Sequence, residues 1–423
     1  MISLPKEPKG EQYEDAVASF IRSMGYFVDT RLILHSDGRE ILELDLVATP
    51  ANENSGNKIL VDAKSGKTGF ADIFKIYGWR IYLKIPVGCI VRHKTIPSSE
   101  KKVFDRYGKE LAISAREFSL EKPDGLCDVF PEIIEINDKQ RGQIFTAGWY
   151  AATIERICYH EFNKFRTSNS NMKIVEDVRQ YDRACRIAFF DNDPLNRVKK
   201  LYDAFKNAPG ISGQCINYIS QIEKVDETRA QDMVFDTPKY LWVQYAMMLE
   251  HRARIQIIKN GVEVIAKYSP NEISKNGIVD LVPDNFLNGL ELLRNHKFRY
   301  ELPYLLHLFI EILGGYYITY DKFDSDLAMI SDVSNIPSKD IVDCLQIINE
   351  FFPTPKGWFL NCKNELFEIK YFPAVWRGIG SFARHGYLFK DYYNDIAPKM
   401  GWLLSKYHNV AYNTLLPVLE VRQ

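Results

Sequence analysis

Asp62 and Lys64 close the apolar run "KILVDAK" (residues 58–64), and Asp45 interrupts another, "EILELDLVA" (40–48). In a strand, alternate residues share a face, so Asp62 and Lys64 point one way and Val61 and Ala63 the other. The same rule groups Glu43 with Asp45, opposite Leu44 and Leu46. If the two strands are neighbours, Asp45 and Asp62 lie side by side, and their repulsion disfavours a doubly ionised site unless a cation sits between them. A hard divalent ion held by carboxylates and water, such as Mg²⁺, suits such a pair. The ordinary alternative is a strand-end ion pair. Carboxylate-x-Lys occurs four times, beginning at Glu7, Asp62, Glu100 and Glu368, and only the Asp62 instance ends an apolar strand, follows a strand with a central aspartate, and runs into a glycine loop and a helix.

These charges have to be positioned by the elements around them. Residues 10 to 24 have helical periodicity, with Tyr13, Val17, Phe20, Ile21 and Met24 on one stripe. Glu14 flanks that stripe and is the helix carboxylate expected to reach the sheet edge, whereas Glu11 and Asp15 are expected to point further towards solvent. Three strand-like runs follow, "YFVDTRLIL", "EILELDLVA" and "KILVDAK", then a helix near 71–84, a strand "GCIVRH" and a helix near 98–114. The core order is αβββαβ, an α/β domain with a mixed sheet. Between residues 61 and 102 nine Lys/Arg face three acids, a local excess of six in a chain whose net charge is −1. Lys67, Lys75, Arg80 and Lys84 are placed to line a groove for an anionic polymer, with Tyr77 and Trp79 available for stacking. A solvated helix face with its aromatics in the core is the alternative for each of them.

At "YEDAVASFIRSMGY", "ELDLVA" and "VDAKSG" the chain resembles the PD-(D/E)xK, or restriction-endonuclease-like, nuclease superfamily, over residues 10 to 115. The resemblance implies that Asp45 and Asp62 bind the metal, that Lys64 positions or activates the attacking water, and that Glu14 assists at the metal. It also implies that the carbonyl of Ala63 is a further ligand. Two positions depart from the family pattern: Leu44 precedes Asp45 where proline is usual, and Asp62 stands where glutamate is more usual. The implied activity is a Mg²⁺- or Mn²⁺-dependent endonuclease hydrolysing DNA, in restriction or anti-phage defence. Double-stranded DNA is the implied substrate, with a homodimer for cutting both strands, since one site faces one strand. The competing readings are a non-catalytic DNA-binding or regulatory protein on a nuclease scaffold, and a nuclease subunit active only within a larger complex.

Behind this domain (1–135), residues 140–292 read as a helical domain and residues 295–371 as a helix-turn-helix with a β wing, "FDSDLAMISDVS", "NIPS", "KDIVDCLQIINEFF", "GWFLNC" and "ELFEIKYF". The helix after the turn carries Asp340, Asp343 and Glu350 beside Lys339, a poor complement to phosphates, so a packing or protein-contact role competes with DNA reading. The basic stretch "HRARIQIIKNG" (251–261) reads as a solvated helical face, with a nucleic-acid or protein partner as the alternative. His160, His251, His307 and His385 lack partners at ligand spacing and read as structural. Residues 372–423 read as a helical extension. Seven scattered cysteines, without C-x-x-C or zinc spacing, read as reduced thiols of a cytoplasmic protein. No run has the length or apolarity of a signal peptide or membrane span, so no membrane partner is expected.

Overall fold

The computed structural model describes residues 4–36, 39–51, 58–66, 69–207, 210–275, 282–295, 301–312, 318–319, 323–353, 358–362, 365–371 and 419–421. The apolar runs at the N-terminus become strands. Helix α1 (Glu11–Ser23) precedes β1 (Tyr26–Ser36), β2 (Arg39–Pro50) and β3 (Ile59–Lys64), and α2 (Phe70–Leu83) leads to β4 (Val87–Arg92). Helix α3 (Ser98–Leu111) and β5 (Ile113–Glu117) complete a five-stranded sheet in the order β1-β2-β3-β4-β5. The first three strands pair antiparallel and the last three parallel, so the sheet is mixed.

Alternation along β3 and β4 divides their side chains between two helical layers. Val61, Ala63, Cys89 and Val91 pack with Tyr13, Val17 and Phe20 of α1, while Leu60 and Ile90 pack with Ile73 and Ile76 of α2 and Phe104 of α3. The fifth strand escapes the sequence reading because it is short and ends in Arg116 and Glu117, and because the preceding helix stops three residues early. It stops at Leu111, Ala112 takes a left-handed φ of 49°, and the chain folds back so closely that a Cβ on Gly108 would lie 2.2 Å from the Ile113 carbonyl oxygen. Only glycine admits that return.

The helical remainder begins with α4 (Asp138–Ser168), whose start is fixed by reciprocal capping between Asn137 and Gln140. It continues through α5 (Lys173–Ala188), α6 (Pro194–Asn207), α7 (Ile211–Glu223), α8 (Glu227–Asp236), α9 (Leu241–Lys267), α10 (Pro270–Lys275) and α11 (Asp284–Asn295). Helix α4 packs against both α1 and α9, and so joins the sheet domain to the helices. After α12 (Leu302–Leu306) the chain runs into a π-helical turn (His307–Ile312), and then α13 (Phe323–Ser334) and α14 (Ser338–Phe351) follow. One hydrophobic cluster extends from Phe27 to Phe351, with residues from both sides of the expected 292–295 boundary contributing to it.

A hairpin of β7 (Trp358–Cys362) and β8 (Glu365–Tyr371) comes after α14, in the order expected of a helix-turn-helix with a wing. It joins a small sheet ordered β6-β8-β7-β9, with β6 at Ile318–Thr319 and β9 at Leu419–Val421. The expected helical extension is thus corrected at 419–421, which pair with β7; residues 372–418 and 422–423 lie outside the described residues. Among the described residues no helix is long and apolar enough to cross a membrane, and the described cysteines Cys89, Cys127, Cys158, Cys185 and Cys215 are free thiols.

Candidate active site

The antiparallel ladder between β2 and β3 runs from Ala48↔Ile59 to Leu46↔Val61, whereas β3 stays paired with β4 through Lys64↔Arg92. Past Val61, therefore, β3 keeps one neighbour and parts from the other. At this fork the Asp45 carboxylate accepts a hydrogen bond of 2.9 Å from the amide of Ala63, standing in for a backbone acceptor. The neighbouring strand is irregular at the same level: Arg31 has a φ of 51°, and the pairs Thr30↔Leu46 and Leu32↔Leu44 flank it.

Both strands turn over here. Leu32 and Leu44 pack on the α2 side of the sheet, but Leu46 packs on the α1 side. The expectation that Leu44 and Leu46 share one face is therefore corrected, since strict alternation fails where a residue sits outside the β region. Glu43 is exposed, so it contributes no buried charge at the fork.

Asp62 is only 2 % exposed despite its charge. Its Oδ1 lies 3.0 Å from Lys64 Nζ and 3.6 Å from Lys75 Nζ of α2, while no hydrogen-bond partner among the described residues satisfies its Oδ2. Burial and then the Asp62 charge push the Asp45 carboxyl up to about 6. Burial opposes the charge of Lys64, but Asp62 and Asp45 outweigh it and raise its pKa. Glu14, half-buried on α1, is pushed up to about 8 by burial and then by Asp45. The four side chains named from sequence thus act on one another electrostatically at the end of the sheet.

A buried carboxylate with an unsatisfied oxygen, beside a second carboxylate that it perturbs, fits a hydrated divalent cation. Among the described residues no three His, Cys, Asp or Glu side chains are grouped so as to hold an ion by themselves. A cation at the fork would therefore rest on Asp45 and Asp62, with water and backbone oxygen, such as the Ala63 carbonyl, completing its shell.

Asp15 requires correction: it is 2 % exposed, not directed to solvent. Its Oδ1 meets Arg31 Nη2 at 2.9 Å and its Oδ2 meets Arg156 Nε of α4 at 2.7 Å. The single-stripe reading of α1 fails because α4 covers a second side of that helix. Asp15 also holds Arg31, the residue with the unusual backbone at the fork, and no motif in the sequence marks that role.

The basic residues named for a groove divide. Lys67 lies outside the described residues. Lys75 reaches Asp62 and stands over the Trp79 ring, 4.1 Å from its centroid. Arg80 instead closes the α2–β4 turn, donating to the carbonyls of Ile85 and Pro86. Lys84 is exposed in a left-handed conformation that ends α2. Tyr77 and Trp79 pack partly against the core, while Phe74 and Tyr82 of α2 are exposed, beside Ile81.

The "HRARIQIIKNG" stretch is not a solvated face. His251 and Lys259 are buried, Arg252 pairs with Glu155 of α4, and Lys259 pairs with Asp29 of β1. Its charges are spent inside the molecule because α9 packs against α4 and reaches β1 through Lys259. His160 pairs with Glu11 and His307 with Glu311, while His385 lies outside the described residues.

The chain finds no match among protein-family models, curated proteins or solved structures.

Proposed function

We propose that the chain is a Mg²⁺- or Mn²⁺-dependent nuclease that hydrolyses phosphodiester bonds in DNA, with its active centre at the fork between β2 and β3. The observation that carries this reading is the buried Asp62 carboxylate, which has an oxygen unsatisfied among the described residues beside Asp45 and meets Lys64 on the same strand.

When bound, the cation would supply a hydroxide near neutral pH and neutralise charge on the phosphate. Asp45 and Asp62 would hold it. Lys64, fixed by Asp62, offers a positive charge and a donor for the attacking water or the phosphate oxygen. Glu14, pushed up to about 8 by burial and then by Asp45, can hold a proton or orient water. One fork serves one strand, so cutting a duplex through would use two copies of the chain. Restriction or defence is the biological setting that the resemblance implies.

A nuclease active only with a partner is the second reading. It is favoured by α2, which exposes Phe74, Ile81 and Tyr82 on the helix that carries Lys75.

The test is cleavage of plasmid, linear duplex, single-stranded DNA and RNA with Mg²⁺, Mn²⁺ or EDTA, by the wild type and by Asp62→Ala and Lys64→Ala. Metal-dependent cutting that both substitutions abolish, with folding intact, supports the proposal and names the substrate. Cutting that survives both substitutions places the chemistry elsewhere, and an inert wild type favours the partner-dependent reading.

A further inference from the structure

Two lysines from different elements converge on one oxygen. Lys64 Nζ is 3.0 Å and Lys75 Nζ 3.6 Å from Asp62 Oδ1, and both also lower the pKa of Asp45. Asp45, Asp62, Lys64 and Lys75 thus cancel in charge, and Asp15 nearby is itself paired with Arg31 and Arg156. A divalent cation entering this balanced cluster adds two positive charges, and these match the two negative charges carried by a phosphodiester under attack. For Asp62 to hold the ion, the lysines would have to release it.

The two lysines are not equivalent in freedom. Lys64 belongs to the paired strand β3, and its side chain is 26 % exposed. Lys75 reaches in from a helix, its side chain is 39 % exposed, and its ammonium already rests on the face of Trp79, 4.1 Å from the ring centroid. A flexible four-carbon stem with a second station on an aromatic face can leave a carboxylate without losing all electrostatic support.

We infer that Lys75 is a mobile site cation that neutralises Asp62 while no divalent ion is bound, gives up that carboxylate to the ion, and then faces the phosphate. This rests on the proposed nuclease reading and adds a positioning residue to it. Lys75 and the ion compete for Asp62, so each weakens the other's hold on it, and the phosphate gains a donor only after the exchange.

The experiment is Mn²⁺ titration by calorimetry of the wild type and Lys75→Met without nucleic acid, followed by cleavage at saturating Mn²⁺. Loss of the competing charge tightens Mn²⁺ binding by about tenfold, while loss of the phosphate donor slows cleavage by about a hundredfold. Mg²⁺ should also change the tryptophan emission of the wild type, and this change should vanish in both Lys75→Met and Trp79→Phe. A merely structural lysine would weaken both binding and cleavage when removed. Mn²⁺ affinity that is unchanged or weaker in Lys75→Met overturns the inference, as does full cleavage at saturating metal. A wild type inert on nucleic acid removes the cleavage readout but leaves the Mn²⁺ affinities to decide the inference, so the two failures are distinguishable.

Discussion

Lys259→Met tests whether the helices hold the sheet that carries the site. Lys259 and Asp29 form an ion pair between α9 and β1, with side chains only 2 % and 3 % exposed, and Asp29 lies two residues from Arg31 at the fork. Removing the lysine affects two acids unequally. Glu263, 4.0 Å from Lys259 Nζ, keeps Lys58 at 2.8 Å and Arg197, whereas Asp29 keeps, among the described residues, the side-chain amide of Gln256. The cost is therefore that of one broken buried pair, about 3–5 kcal/mol. By contrast, Lys164→Met breaks an exposed pair with Glu161 and should cost no more than about 0.5 kcal/mol. Urea unfolding followed by circular dichroism measures both, and an unchanged dependence on urea would show that the unfolded state is not the cause. Adding Asp29→Asn should restore part of the loss, since it removes the stranded charge. A cost below about 1 kcal/mol for Lys259→Met, or a double variant no more stable than the single one, would refute the reasoning.

The remaining predictions concern pH and packing. Asp45 and Glu14 are acids whose pKa values rise on folding from 3.8 and 4.5 to about 6 and about 8, so the stability they contribute is full below about pH 4 and is lost as pH rises through those values. Asp45→Asn should accordingly stabilise the metal-free protein at about pH 8, by about 1–3 kcal/mol in thermal unfolding with EDTA; a destabilised variant would contradict the buried charge pair. His251 is buried with neither ring nitrogen hydrogen-bonded among the described residues, and burial lowers its pKa to about 3. Its contribution is intact above about pH 6.5 and declines towards about pH 3, so His251→Leu should gain stability relative to the wild type on going from about pH 7 to about pH 5; parallel pH profiles would contradict this. Gly289→Ala would place a Cβ 2.7 Å from the buried Phe351 ring, so the overpacking cost of about 1–3 kcal/mol should outweigh the helical gain of alanine, and chemical denaturation should show a less stable variant.

The elements that hold the candidate site were readable because their burial is regular. "ILVDAK" and "GCIVRH" are apolar on both faces, as central parallel strands must be, and the α1 stripe of Tyr13, Val17 and Phe20 meets the sheet as its periodicity requires. What alternation alone misses is the fork, where Arg31 has a positive φ and Leu44 and Leu46 change sides. The burial of Asp15 and Lys259 is not legible in periodicity, because each pattern assumes one buried side per helix, and α1 and α9 have more than one. Lys75 was legible as a basic residue near the site, but its approach to Asp62 depends on the angle at which α2 crosses the sheet.

The central claim is that Asp45 and Asp62 together hold a divalent cation. Calorimetric titration of Mn²⁺ into the wild type, Asp45→Asn and Asp62→Asn tests it most directly. One site is expected in the wild type, and either substitution should abolish it while the far-ultraviolet circular dichroism is unchanged. Equal stoichiometry and affinity in all three proteins would contradict it.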